Sequence, residues 1–392
     1  MGKKSIEEIG KNLLELADIT INGNKPWDIQ VKNPKFYERI VKDGSIGLGE
    51  SYMEGWWDCE SLDQFFDKLL SANLNEKVKE HLSLKIKMNV AMKFIIYKLI
   101  NFQNISKSKD VAEKHYNLGN EFYKNMLDPE FMQYTCGYWK DTKNLQQAQI
   151  NKINLICKKI YLPTKTEKRK DKILELGSGF GGFALFAAKN YNCEITSYNI
   201  SKEQIAYARE KSKNLPIEII ESDYRKALTS KNKNLFDKVV SIGMMEHVGP
   251  KNYKKFMKLA NYCLKDKGLF LVHTIGGIRT RDPSHTDPWM VKYIFPGGHL
   301  PSASQIAKAG ESYFHLEDVQ NFGHYYDQTL MAWFENFDKN WPKFKDQYGE
   351  KFYRMWKYYL LSCAGGFRSG SICLYQFIFS KGNLGKTYEG VR

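Results

Sequence analysis

The stretch ILELGSGFGG, residues 173–182, is an apolar run that breaks into four glycines within six positions. A buried strand that stops at such a loop lets a ligand come close to the backbone, because glycine has no Cβ to hold it off. Working outward, KILELG (172–177) reads as a strand, followed by CEITSYNI (193–200), IEIIESD (217–223), FDKVVSIGM (236–244) and GLFLVHTIG (268–276). Helical patterns separate them, and this alternation predicts a parallel sheet covered on both faces. SICLYQFIFSK (371–381) reads as a sixth or seventh strand after a long helical stretch near 343–362. The fold class is therefore α/β, with a doubly wound, mostly parallel sheet. Between the fifth strand and that helix, DPWMVKYIFPGGHLPS (287–302) is too irregular for a crossover and reads as part of a lid or substrate wall.

The chain has 392 residues, enough for two or three domains, and its 42% hydrophobic content is ample for buried cores. The formal net charge of +15 favours anionic partners: nucleic acid, a negatively charged membrane surface or an acidic substrate. No segment reaches the roughly eighteen apolar residues that span a bilayer. The opening MGKKSIEEIG has no signal-peptide core and misses the myristoylation pattern, since Ile6 fills the required Ser/Thr position. Seven scattered cysteines with no CxxC pair suggest free thiols in a reducing cytoplasm and no zinc site.

Gly177, Gly179 and Gly182 satisfy G-x-G-x-x-G, so a dinucleotide is the first ligand to weigh. Two features oppose it. The ribose-binding acid expected about twenty residues on is missing, because 197–199 is Ser-Tyr-Asn. Glu175, immediately before the loop, would also repel a pyrophosphate. A fixed carboxylate suits a cationic ligand, and S-adenosylmethionine carries both an ammonium and a sulfonium. ELGSGFG (175–181) has the form this loop takes in class I S-adenosylmethionine methyltransferases, and Asp223-Tyr224 stands where an adenine would be met. The end of the fourth strand argues about the acceptor. SIGMMEHVGP (241–250) lacks the N-P-P-Y-like stretch of enzymes that methylate base nitrogens, and no Pro-Cys of the cytosine-C5 type is present. Glu246 and His247 offer acid–base chemistry instead, although such a histidine is often only structural.

Longer stretches carry a resemblance that covers nearly the whole chain. GLGESYMEGWWDC (47–59), HYNLGNEFYKNMLDPEFMQYTCGYWK (115–140), MMEHVGPKNY (244–253), HTIG (273–276), NFGHYYDQTLMAWFENF (321–337) and LSCAGGFRSG (361–370) are similar to those of the bacterial cyclopropane-fatty-acyl-phospholipid synthases. Two departures are small: Ser178 stands where that family often has Cys, and the loop after HTIG is long. The resemblance implies a class I methyltransferase fold with a small helical N-terminal domain. It implies that a cis double bond of a phospholipid acyl chain attacks the sulfonium methyl of S-adenosylmethionine, and that the resulting carbocation loses a proton to bound bicarbonate as the ring closes. Glu246, His273, Tyr326 and the backbones at Cys136 and Ile275 would hold that ion. Tyr134, Thr135, Glu175, Gly177, Ser178, Gly179, Gly181, Asn199, Gln204, Asp223 and Tyr224 would hold the cofactor. Tyr134, Tyr138 and Trp139 offer π faces to cationic centres. Cys363 falls within one of the shared motifs, but for it and for Cys136 a small apolar thiol is favoured over a nucleophile.

Residues 1 to about 105 are then a helical, lipid- and membrane-binding domain, and 106–392 the catalytic domain. The segment 75–109 holds eight lysines and reads as one or two basic helices. It is expected to attract anionic headgroups, placing a cytoplasmic enzyme peripherally at the inner face of the membrane. A homodimer is compatible with the sequence, and no nucleic-acid partner is expected. Two other activities stay open: a lipid C-methyltransferase with a methyl-branched or oxygenated product, and an RNA methyltransferase. A lipid-binding protein without catalysis is disfavoured by the intact glycine loop and Glu246.

Overall fold

The structure is a computed structural model that describes residues 11, 14–72, 118–281 and 286–392. The basic segment 75–109, with its expected membrane role, lies outside the described residues. In chain order the elements begin with β1 (Gln30–Val31), α1 (Phe36–Met53), β2 (Trp57–Asp58) and α2 (Leu62–Ser71). Then come α3 (Asn120–Met126), α4 (Leu145–Lys159), β3 (Asp171–Leu176), α5 (Gly182–Asn190), β4 (Cys193–Asn199), α6 (Lys202–Lys211) and β5 (Ile217–Glu221). They are followed by β6 (Phe236–Ile242), α7 (Met245–Val248), α8 (Tyr253–Cys263), β7 (Leu264–Gly277), α9 (Pro288–Tyr293) and α10 (Ala303–Gly310). The last are β8 (His315–Asn321), α11 (His324–Asn340), α12 (Lys345–Arg368) and β9 (Ile372–Ser380).

Seven strands form one sheet in the order β5-β4-β3-β6-β7-β9-β8. β3 pairs in parallel with β4 and β6, β4 with β5, and β6 with β7, while β8 and β9 are antiparallel. The near-continuous apolar strands follow from cover on both faces. Successive residues go to opposite sides, so Leu174, Val239, Phe270 and Val272 enter one core while Ile173, Val240, Leu269 and Leu271 enter the other. Strand order reverses at β3, whose neighbours lead outward in both directions, and ligands of open α/β sheets bind at such a point. The five expected parallel strands and the late strand are all present. β8 was not anticipated, because HLEDVQN is an edge strand exposed along most of its length.

The compact units do not divide at a single point near 105. The first gathers the described residues up to 72 together with 286–296 and 326–372, and the second contains 118–281, 297–325 and 373–392. Contacts within the first unit explain the discontinuity. Gly365 of α12 lies so close to the α2 backbone that a Cβ would overlap Asp63 O and Asp67 N. Arg368 donates to Asp63 and, through two nitrogens, to Asp327. Trp289, fully buried, packs against Tyr358 and fills the space beside Gly49. The expected insertion 287–302 is thus split: its first part belongs with the first unit, and its second part runs to the Ser302 capping box of α10.

Candidate active site

In the second unit the glycine loop leaves the carboxyl end of β3. Gly177, Gly179 and Gly181 all take positive φ, of 90°, 52° and 81°. The amides of Gly177 and Ser178 both donate to Tyr198 O, and the Asn199 side chain donates to Gly179 O at 2.9 Å. Asn199 thus tethers the loop; its side-chain NH2 also donates to Gln204 Oε1, and its Oδ1 accepts from the amides of Ile200 and Ser201. Gly182 opens α5 without needing a special φ. A Cβ there would overlap Phe131 O and the Gln133 amide, so this glycine is required for close approach of residues 131–136.

That segment is built by groups the sequence reading did not single out. Asp128, fully buried, accepts from the amides of Phe131 and Gln133. On α4, Gln149 donates to Thr135 O, and the buried ammonium of Lys152 donates to the Thr135 hydroxyl at 2.9 Å and to Gln133 Oε1. Thr135 in turn comes close to Gly243, just after β6. Tyr134 packs edge-on to Tyr123, whose ring meets Phe180 of the glycine loop.

Glu175 is completely buried and accepts from Ser197 Oγ at 2.5 Å. Burial pushes its carboxyl up to about 7, an effect that Ser197 and the positive charge of Lys152 oppose. Burial pushes the Lys152 ammonium down, against the fields of Asp128 and Glu175. Asp223 accepts from the Arg225 backbone and from its guanidinium, while Tyr224 packs edge-on to Phe256. Arg225 is therefore a close partner of the acid expected at the adenine, and its i, i+2 spacing gave no signal in the sequence.

At the ends of β6 and β7 lies a second polar group. Glu246 is buried, and its Oε1 accepts from the Ile275 amide at 2.6 Å. The Ile275 N–H expected to meet an anion is thus engaged by Glu246. Burial raises the Glu246 carboxyl to about 7. His273 is buried on β7, its Nδ1 3.1 Å from Gln376 Nε2, and burial holds its pKa well below the usual value. Glu246 Oε2 and His273 Nε2 are buried without a hydrogen-bond partner among the described residues. Burial depresses the His247 imidazole to about 4, which favours its neutral form. Beside His273 stands Phe322, in an edge-to-face cluster with Tyr138 and Tyr325. Only Tyr138 of these three rings was expected. Cys136 is fully buried and its thiol donates to Gly137 O at 3.2 Å.

Tyr326 and Cys363 belong to the first unit. Tyr326 stacks on Phe367 at 4.4 Å and meets Trp333 edge-on. Burial pushes the Cys363 thiol up to about 12, which favours its protonated form.

A family model described as mycolic acid cyclopropane synthetase matches residues 103–377. The chain belongs to that family. It is 45% identical over 374 residues to the cyclopropane-fatty-acyl-phospholipid synthase of Escherichia coli K12, covering 95% of this chain and 93% of that one. A probable fatty acid methyltransferase of Pseudomonas putida is 33% identical, with 68% of each chain covered. Among solved structures, a cyclopropane synthase of Mycobacterium tuberculosis superposes with a TM-score of 0.62 at 26% identity, covering 70% of this chain and 98% of that one. A mycolic acid cyclopropane synthase complexed with SAH and CTAB gives 0.62 at 29%, covering 69% and 98%. This cyclopropane synthetase family member is an S-adenosylmethionine-dependent methyltransferase of the class I fold. No helix among the described residues is long and apolar enough to cross a membrane.

Proposed function

We propose that the enzyme converts the cis double bond of an unsaturated acyl chain in a membrane phospholipid into a cyclopropane ring, with bicarbonate as the bound base. The observation that carries this reading is the 45% identity to the Escherichia coli enzyme over 95% of the chain. S-adenosylmethionine, when bound, supplies an electrophilic methyl, and bicarbonate supplies a weak base for the proton lost at ring closure. The residues fit both groups. The glycine loop leaves open space at Gly179, where a Cβ would meet nothing, and Glu175 stands just before it at the end of β3. Glu246 Oε2 can accept a hydroxyl and His273 Nε2 can donate to an oxyanion, the pairing a small hydrogen-carbonate ion needs. Phe322 packs edge-on against His273, with Tyr138 and Tyr325 around it, an aromatic cluster that would keep water from the imidazole. Tyr326 and the Cys136 backbone are retained as further donors on the family resemblance alone.

Incubation with labelled S-adenosylmethionine and monounsaturated phospholipid vesicles should give cyclopropane fatty acid. A methyl-branched or oxygenated product, or label transferred to RNA instead, would overturn the reading. The membrane contact is assigned to the basic segment. Replacing Lys85, Lys87, Lys93 and Lys98 by Gln should weaken co-sedimentation with anionic vesicles and flatten its salt dependence, each exposed lysine contributing about 1 kcal/mol. An unchanged salt series would move that contact elsewhere.

A further inference from the structure

We propose that Gln376 is a positioning residue that fixes His273 in the tautomer carrying its proton on Nε2. Gln376 sits at the centre of β9, fully buried, on the strand next to β7. A buried glutamine amide is costly in a sheet interior unless it is hydrogen-bonded. The contact that satisfies it is the one to His273 Nδ1 at 3.1 Å. Its Oε1 has no partner among the described residues, so the amide is kept at a cost that packing alone would not require.

The chemistry follows from the inventory of the two groups. A neutral imidazole has one donor and one acceptor nitrogen. Burial keeps His273 neutral, and the charges of Lys152 and Lys159 act in the same direction. With the Gln376 NH2 facing the ring it has only protons to offer, so Nδ1 accepts and the ring proton resides on Nε2. Nε2 is the atom left without a hydrogen-bond partner among the described residues, and Phe322, edge-on at 5.8 Å, packs against the ring. Two residues along the same strand, the Ile275 amide holds Glu246 Oε1, which leaves Oε2 as the matching acceptor. An N–H at His273 and a carboxylate oxygen at Glu246 are complementary to a small oxyanion that bears one hydroxyl. The opposite tautomer would set a lone pair against it. The inference rests on the reading of this pair as the anion holder.

Spectra of the full-length protein labelled with ¹⁵N-histidine decide the tautomer directly, with His273 assigned by its absence in His273→Asn. The native protein should show a protonated Nε2 and an unprotonated Nδ1. Gln376→Glu, which replaces a donor by an acceptor, should move the proton to Nδ1 and lower turnover by roughly 10²-fold or more with S-adenosylmethionine affinity retained. Gln376→Met should give a mixture of tautomers and an intermediate loss. A native proton on Nδ1 overturns the proposal, whether or not the variants fold, and so does an unmoved proton in folded Gln376→Glu. A moved proton with native turnover instead removes His273 from the anion site, and the positioning role with it.

Discussion

Glu246→Gln should lower kcat by roughly 10²–10⁴-fold while leaving S-adenosylmethionine affinity within about threefold of native. Glutamine is the informative replacement because Glu246 has two separate tasks. Its Oε1 accepts the Ile275 amide, and a glutamine carbonyl can do the same. Its Oε2 is buried without a hydrogen-bond partner among the described residues, and there glutamine places an NH2, a donor where an acceptor is needed. Glu246→Ala removes both functions and leaves the Ile275 N–H unsatisfied, at a further cost of about 1–3 kcal/mol in stability. The two variants should therefore be similarly slow and differ in unfolding midpoint. Near-native turnover in the glutamine variant would show that the Oε2 carboxylate is not needed.

The second large effect is expected at Gly182. A methyl group there meets the Phe131 carbonyl and the Gln133 amide, both part of a segment tied down by Asp128 and Lys152. Gly182→Ala should cost about 1–3 kcal/mol as overpacking and weaken S-adenosylmethionine binding by more than about tenfold, because the 131–136 segment must move. Gly179→Ala is the comparison for stability alone, because a Cβ in the open space of the loop would itself meet the proposed cofactor. Nothing lies within 4 Å of its Cβ, so its penalty is that of a non-glycine residue at φ 52°, about 1–2 kcal/mol. Denaturant unfolding and calorimetry separate them. Equal cofactor affinity in native and Gly182→Ala proteins would mean that this close approach does not shape the cofactor site.

The parallel sheet was legible because each strand declares itself locally, by an apolar run ending in a turn. Glu175, Asp223 and Glu246 were singled out because they stand at or just beyond strand ends, whereas His273, inside β7, came only from the family resemblance. β8 was hidden by its exposed, acid-rich sequence. Lys152 and Gln376 were hidden because each looks like an ordinary polar residue, one on a helix and one in a strand, and only tertiary packing buries them completely. The simple boundary near 105 failed for a related reason. The partners of α1 and α2 are α9 and α12, and no local pattern announces pairing over such separations. The basic segment 75–109 lies outside the described residues, and the vesicle experiment tests its proposed lipid role.

The split first unit also sets a timetable for biosynthesis. Trp57, Phe65 and Phe66 are covered by residues that include Tyr358 of α12, which begins about 270 residues after α2 ends. At roughly 5–20 residues per second, the aromatic surface of the nascent N-terminus waits about 15–60 s for its partner to be translated. Over that interval the emerging chain is a client for holdase chaperones, and a fragment ending before α12 lacks the helix that closes its own core. Expression yield should therefore respond to translation speed between α2 and α12 more than to changes in codon usage after residue 372.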